Sequence, residues 1–153
     1  MDSKESIKPD IVMKEFWRVN ERFADLFNAV LFNGKNVIKS DMLKEMDTDI
    51  SGTIKWKKGQ SSLKRIRDIV KKEYDGVEFN ILGIEIQDKV HYAMPLRTMI
   101  YDGLGYLKEY NELKSKNRYT SGMTSDEFLS GMKKDDRLHP IITIVLYYSE
   151  MPW

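Results

Sequence analysis

The sequence predicts a single domain of the α/β class. Two long runs place apolar residues at helical spacing, whereas shorter runs alternate apolar and polar residues or are continuously β-branched. These runs follow one another in the order helix, two or three strands, helix, strand. With 153 residues, of which 41% are hydrophobic, the chain has the length and apolar content of one globular domain. We expect this domain to extend over residues 1–153, with residues 1–11 flexible.

Two of the predicted elements are long amphipathic helices. Residues 12–32 carry apolar side chains three and four positions apart, and Asn33 and Gly34 form the C-terminal cap of this run. The second helix covers residues 94–116 and begins with Pro95 in its first turn. Its apolar stripe consists of Met99, Ile100, Leu104, Leu107 and Tyr110.

A β-hairpin is predicted in the middle of the chain. Residues 63–74 and 77–87 both alternate apolar and polar side chains, which is typical of strands. Asp75 and Gly76 lie between them and are a strong turn signal. The two runs are therefore expected to pair as antiparallel strands.

The remaining elements are shorter. Residues 41–46 predict a turn of helix, and the loop after them contains a short strand around residues 53–57. Thr124 and Glu127 form a capping box ahead of a short helix. Residues 141–148 are a continuous β-branched and aromatic run, which predicts a strand buried on both faces.

The composition excludes several classes of function. Because the chain has no cysteine, disulfides, thiolate metal sites and cysteine nucleophiles are ruled out, and a metal would need oxygen ligands or the two histidines. The motifs of P-loop nucleotide hydrolysis, serine hydrolysis and zinc proteolysis do not occur. No run approaches the roughly 18 to 20 apolar residues of a membrane span, and the amino terminus has no apolar secretion signal. We therefore expect a cytoplasmic protein without a membrane partner.

Positive charge is concentrated in one segment of the chain. Residues 55–72 contain eight basic residues and one acidic residue, a local charge of +7 in a chain whose total is +1. Such a segment is typical of a nucleic-acid site, because lysine and arginine neutralise phosphates and release counterions. The alternative is a solvated strand edge that lysines protect against aggregation. The candidate DNA-binding residues are Lys57, Lys58, Lys64, Arg65 and Arg67.

Two carboxylates, Asp68 and Glu85, lie on adjacent arms of the predicted hairpin. Carboxylates brought together in a low dielectric resist ionisation unless a cation lies between them. Mg²⁺ takes such oxygen ligands and keeps open positions for water and substrate phosphate. The alternative is that Asp68 pairs with Arg65 or Arg97 and that Glu85 caps the end of a strand.

Arg97 and Tyr101 are four residues apart, so they share one face of the second long helix. An arginine at this position could hold a phosphate through two parallel hydrogen bonds, with the tyrosine orienting it. The alternative is a salt bridge on the helix surface beside a partly buried ring.

Several blocks of residues occur in a characteristic order along the chain. They are NERFADLFN, RDIVK, GIEIQ, HYAMPLR, YDGLGYL and HPIITIVLYY, followed by the terminal MPW. From about Phe16 to Trp153 the chain thus resembles the recombination-promoting nuclease/putative transposase family, part of the PD-(D/E)xK nuclease superfamily. The resemblance implies a restriction-endonuclease-like core of helix, three strands, helix and strand, with a mixed sheet flanked by helices.

The resemblance also implies the residues of a metal site. Asp68 in RDIVK and Glu85 in GIEIQ would be metal ligands, together with the backbone carbonyl of Ile86. Gln87 occupies the place of the superfamily's lysine. A glutamine carries no charge and takes no proton, so Gln87 would orient the attacking water by hydrogen bonds.

Supporting residues follow from the same resemblance. Many relatives have an acidic residue in the first helix at the position that Asn20 holds here, and Glu21 lies beside it. Arg97 and Tyr101 would support the site from the second long helix.

The implied function is a Mg²⁺- or Mn²⁺-dependent DNA endonuclease linked to recombination or transposition. It would bind DNA largely independently of sequence, because no recognition helix is visible and phosphate contacts carry no base information. The alternatives are a nuclease-fold module that binds DNA or a full-length relative without turnover, and a nuclease that acts on RNA. Relatives continue beyond the position of Trp153, so the chain looks like the catalytic half of a longer protein or like a natural short form. Its last strand would then be open to association with another copy or with a longer relative.

Overall fold

The computed structural model describes residues 8–46, 49–56, 59–66, 68–74 and 78–153. The described residues form four α-helices: α1 (Pro9–Arg18), α2 (Asn20–Phe32), α3 (Met94–Asn117) and α4 (Ser125–Ser130). They also form six strands: β1 (Leu43–Glu45), β2 (Asp49–Trp56), β3 (Gly59–Ile66), β4 (Ile69–Tyr74), β5 (Glu78–Gln87) and β6 (Ile141–Tyr147). A single 3₁₀ turn, Ser40–Met42, precedes β1. Helix α1 begins within the segment that was expected to be flexible.

A four-stranded mixed sheet organises the fold. Its strand order is β1-β4-β5-β6, and β2 and β3 form a separate two-stranded sheet. Neighbouring strands are antiparallel from β1 to β5, whereas β6 runs parallel to β5. The parallel pair needs a crossover, which α3 supplies. The α/β class and the antiparallel pairing of the β4–β5 hairpin are thereby confirmed, although Asp75 and Gly76 lie outside the described residues.

Helices cover both faces of this sheet. On one face, Phe23 and Phe27 of α2 are fully buried with their rings stacked 4.8 Å apart, and they pack against alternate residues of β5 and β6. On β6 these are Ile142 and Ile144. The intervening Thr143 donates a hydrogen bond to Asp102 of α3. Because alternate side chains of a strand point to opposite faces, α3 covers the second face.

The predicted helix over residues 12–32 is wrong in one respect, because the structure breaks it at Val19 into α1 and α2. The ammonium group of Lys71, on β4, donates hydrogen bonds to the Arg18 carbonyl and to Oδ1 of Asn20, both at 2.5 Å. The break therefore gains a buried hydrogen-bond partner that a local sequence pattern does not reveal. Lys71 is only 2% exposed, so it is not one of the phosphate-binding lysines expected of the basic segment.

The segment before the hairpin also differs from the prediction. Of the helical turn expected at residues 41–46, only the short 3₁₀ turn forms, and β1 follows it. The strand expected around residues 53–57 is the longer β2, which pairs with β3 outside the four-stranded sheet. The single strand expected over residues 63–74 is divided, with a bend at Asp68. The division is required because β3 and β4 belong to different sheets.

The buried stripe of α3 is displaced from the predicted one. Met99 is 66% exposed and Ile100 is also exposed, whereas Tyr101 and Leu104 are buried. Gly105 lets α3 approach the sheet closely, since a Cβ there would lie 2.7 Å from the side chain of Ile141. The inward face of α3 is therefore the one that carries Tyr101, Leu104 and Gly105.

The last strand is less buried than predicted. Every residue of β6 is half-buried, because within the described sheet β6 has a neighbouring strand on one side only. The predicted caps agree with the structure: Asn33 adopts the left-handed conformation at the end of α2, and Thr124 and Glu127 form the capping box of α4. None of the helices among the described residues is long and apolar enough to cross a lipid bilayer.

Asn28 is expected to contribute strongly to stability. This buried side chain accepts hydrogen bonds from the amides of Val37 and Ile38 and donates one to the Ile38 carbonyl. Replacing Asn28 by alanine leaves these backbone groups without partners and should lower the free energy of unfolding by about 3 kcal/mol. Chemical denaturation measures this loss, and Asn111→Ala, at an exposed position of α3, should change stability by less than about 0.5 kcal/mol. Equal stability of the two variants would contradict the expectation.

Candidate functional site

Asp68 and Glu85 lie at the same edge of the four-stranded sheet. Ile69 and Ile84 are the last paired residues of β4 and β5 at this edge. Asp68 immediately precedes Ile69, and Glu85 immediately follows Ile84. Their backbones are therefore neighbours where β4 begins and β5 approaches its end. The structure thus places the backbones of the two acidic residues that the sequence singled out side by side.

The Asp68 carboxylate binds both a backbone amide and a lysine side chain. Its Oδ2 accepts the amide hydrogen of Ile86 at 2.8 Å, at the point where β4 no longer supplies a backbone carbonyl. Its Oδ1 lies 2.9 Å from the ammonium nitrogen of Lys14, on α1, and the side chain is only 17% exposed. Asp68 therefore caps a strand end and forms an ion pair at the same time. Of the two partners that the sequence offered, Arg97 interacts with Asp68 through its charge, and the side chain of Arg65 lies outside the described part of the structure.

Lys14 is a residue of this site that sequence reasoning missed. Its ammonium group also lies 3.0 Å from Oδ2 of Asp10, one turn earlier on α1. Partial burial lowers the pKa of Lys14, but the hydrogen bonds and charges of Asp68 and Asp10 outweigh it, so the net pKa is raised. Lys14 is therefore held in its charged form. The spacing of Asp10 and Lys14 signals a helix-surface pair, but nothing local signals the contact with Asp68.

Glu85 lies on the α3 side of the sheet and is only 1% exposed. Next to it on α3, the Nε–H of Arg97 donates a hydrogen bond of 2.6 Å to the hydroxyl of buried Tyr101. Burial lowers the pKa of Arg97, but the Tyr101 hydroxyl and then the charges of Glu85 and Asp68 raise it above its usual value. Arg97 therefore remains charged and interacts with both carboxylates.

Gln87 lies two residues beyond Glu85, so both side chains leave the same face of β5. Its carbonyl accepts the amide hydrogen of Tyr148 at 3.1 Å, and its side chain is half-buried. Burial raises the pKa of the Tyr148 hydroxyl, and the nearby charges of Asp88, Asp10 and Asp68 add to that rise. Tyr148, which is hydrogen-bonded to the end of β5, thus lies near three acidic side chains and near the charge of Lys14.

Asn20 and Glu21 belong to a different cluster. Besides accepting from Lys71, Asn20 donates hydrogen bonds to the carbonyls of Ser40 at 3.0 Å and Leu43 at 3.1 Å. Burial lowers the pKa of Lys71, and Glu21 is one of the acidic groups that oppose this effect. These contacts connect the start of α2 to β1 and β4. They do not involve the Asp68–Lys14 ion pair.

The basic segment is described only in part. Lys57, Lys58 and Arg67 lie outside the described residues. Lys64 and Arg65 are on β3, paired in register with Ser51 and Ile50 of β2. Their candidate role in DNA binding therefore stays a prediction.

The donor set at the sheet edge is compatible with a magnesium ion. Asp68 and Glu85 supply hard carboxylate oxygens, and Mg²⁺ is commonly held by one or two carboxylates with waters and substrate phosphate. Within the part of the chain that the structure describes, no group of three or more histidine or acidic side chains is placed to hold a metal. The residues thus fit an open two-carboxylate site, to which the Ile86 carbonyl would add a third oxygen, rather than a closed cage.

The site combines two carboxylates with two cations, Lys14 and Arg97, and so has groups for a metal ion and for an anion.

Comparisons of the chain with protein-family models, with curated proteins and with solved structures find no match.

Proposed function

We propose that this chain is a Mg²⁺- or Mn²⁺-dependent DNA endonuclease that hydrolyses phosphodiester bonds. The observation that carries the proposal is the placement of Asp68 and Glu85 at one sheet edge, each beside a cation. Carboxylates in this arrangement are suited to bind a divalent ion that also contacts a phosphate. The resemblance to the recombination-promoting nuclease family singles out the same two residues.

The order of elements supports a PD-(D/E)xK core. If strands β2 and β3 and the short helix α4 are regarded as insertions, the helices and strands after α1 run α2, β1, β4, β5, α3, β6. This is the succession of helix, three strands, helix and strand that the resemblance implies. In that core the aspartate lies on the second strand and the glutamate on the third; here Asp68 immediately precedes β4 and Glu85 is on β5.

Each residue of the site would have a different role in phosphodiester hydrolysis. Asp68, Glu85 and the Ile86 carbonyl would hold the metal ion, which when bound polarises the scissile phosphate and lowers the pKa of a bound water. Gln87 would orient the attacking water through its amide. Arg97, fixed by Tyr101, would neutralise charge on the phosphate from the α3 side.

Metal dependence is the direct test of this function. With Mg²⁺ or Mn²⁺ the purified chain should convert supercoiled plasmid DNA to the nicked form. A chelator should abolish the conversion, and excess Mg²⁺ should restore it. Cleavage that persists in chelator, or no cleavage of DNA with either metal, would contradict the proposal. A single-stranded RNA of mixed sequence run in parallel distinguishes a ribonuclease.

DNA binding is expected to depend on salt through the basic segment. Replacing Lys57, Lys58 and Lys64 by glutamate should weaken binding to unrelated DNA sequences equally and reduce the salt slope, log Kd against log salt, by up to about 3. Fluorescence anisotropy over a salt series measures both effects. The matched control replaces Lys35, Lys39 and Lys116, exposed lysines elsewhere, by glutamate. If both triple variants behave alike, the basic segment is only a solvated edge.

A second candidate function is a nuclease-fold module that binds DNA or a longer relative without cutting. The observation that favours it is that both oxygens of Asp68 already have partners, Lys14 and the Ile86 amide. Gln87 adds to this, because it lacks the charge of the superfamily's lysine. DNA binding without nicking under any metal condition would favour this module. The half-buried β6 would then be the edge at which a second copy or a longer relative could pair.

A further inference from the structure

Lys14 forms ion pairs with two carboxylates, one on its own helix and one from another part of the chain. Its ammonium nitrogen lies 2.9 Å from Oδ1 of Asp68 and 3.0 Å from Oδ2 of Asp10. Asp10 is on the same helix, four residues earlier, whereas Asp68 lies at the bend directly before β4. Lys14 can therefore leave Asp68 and keep an ion pair within its own helix.

We propose that Lys14 is an internal counter-ion that occupies the cation position on Asp68, and that a divalent ion binds there by displacing Lys14, which keeps its contact with Asp10. The inference rests on the proposed metal site of the nuclease, and it adds a competition that controls metal affinity.

The competition follows from elementary electrostatics. An ammonium group at hydrogen-bond distance from Oδ1 blocks a divalent ion from the same oxygen, because the two cations would lie within a few ångströms of each other and repel. Displacement costs Lys14 one of its two carboxylate contacts, since the contact with Asp10 remains. Because Lys14 and the metal ion compete for Asp68, a stronger Lys14–Asp68 ion pair means a lower affinity for the metal ion.

The two flanking residues are expected to have opposite effects on metal affinity. Lys14→Met removes the competitor and should tighten Mn²⁺ binding at least about fivefold. In Asp10→Asn the ammonium group of Lys14 is no longer shared with Asp10, so Lys14 should hold Asp68 more firmly and Mn²⁺ binding should weaken about twofold or more. Isothermal titration calorimetry with Mn²⁺ measures both, and Lys35→Met, at an exposed position, is the control for the loss of one positive charge. Asp68→Asn, which should remove the binding heat, locates the site.

A double variant separates this exchange from a general effect of charge. If Asp10 acts by drawing Lys14 away from Asp68, Asp10→Asn should have no effect on Mn²⁺ affinity in a Lys14→Met background. If Asp10 acts only through its negative charge, it should weaken Mn²⁺ binding equally in both backgrounds. The latter result would overturn the exchange. Thermal unfolding followed by circular dichroism shows that each variant remains folded.

The outcomes distinguish this inference from the proposed nuclease function. Unchanged or weaker Mn²⁺ binding by folded Lys14→Met overturns the counter-ion role, even if the parent protein nicks DNA. Tighter binding by Lys14→Met, without nicking by any variant, supports the counter-ion role and contradicts the nuclease. Absence of Mn²⁺ binding in every protein overturns both.

Discussion

Replacing Asp68 by asparagine, or Glu85 by glutamine, is expected to lower the rate of metal-dependent DNA nicking by about 10³-fold or more. Each substitution removes one carboxylate charge from a two-carboxylate site, and a metal ion contributes several kcal/mol to the stabilisation of a phosphoryl transition state. Single-turnover nicking of supercoiled plasmid, at saturating Mg²⁺ for the parent, measures the rate.

These two substitutions are chosen to preserve the fold. Asparagine at position 68 still offers an oxygen to the Ile86 amide. It loses the ion pair with Lys14, which at a partly exposed position is worth about 1 kcal/mol or less. Glutamine keeps the shape of the buried Glu85 side chain. Asp41→Asn and Glu112→Gln, at exposed positions, are the matched controls and should cut at the parent rate. Parent-level nicking by a well-folded Asp68→Asn protein would refute the assigned site.

Gln87→Ala is expected to lower the cleavage rate about 10²-fold, the contribution of one positioned polar group to a transition state. Because Gln87 is assigned to the water and not to the metal, Mn²⁺ affinity should change little. Single-turnover cleavage together with calorimetry separates the two effects. If Gln87→Ala cleaves as fast as the parent, the side chain is only part of the strand packing and another group must position the water.

Gln87→Lys is the informative companion to the alanine variant. It places a positive charge on the face of β5 that carries Glu85, where the superfamily has its lysine. Retained or increased cleavage would place the chain within the general PD-(D/E)xK mechanism. Loss of cleavage equal to that of Gln87→Ala would show that the amide, and not merely a polar side chain, is required.

Most of the candidate site could be predicted from local sequence. Alternation in residues 77–87 places Glu85 and Gln87 on one face, and the turn signal at Asp75 and Gly76 pairs this run with the strand before it. The register does not follow from the turn, because a two-residue turn at Asp75 and Gly76 would place Asp68 opposite Gly83. The observed register pairs Ile69 with Ile84 and shifts at Glu73 and Tyr74, so only the structure shows that Glu85 is the residue opposite Asp68. The hairpin itself is one of the confirmed predictions.

Partners from distant segments could not be predicted in this way. Lys14 is far from Asp68 in sequence, and its spacing from Asp10 is equally compatible with an ordinary surface pair. Asn20 was grouped with the metal site through the resemblance, but its contacts are with Lys71, Ser40 and Leu43. Both assignments depend on which helix lies over which strand, and this information is absent from a local pattern.

By itself, the sequence determined those features whose causes lie within a few residues. These are the caps of α2 and α4, the long helix α3, and the hairpin that carries the two carboxylates. Only the tertiary structure decided the break at Val19, the inward face of α3 and the cation beside Asp68. A helical or alternating pattern reports which side chains share a face. The packing of that face is decided by competition among all segments for burial and for hydrogen-bond partners.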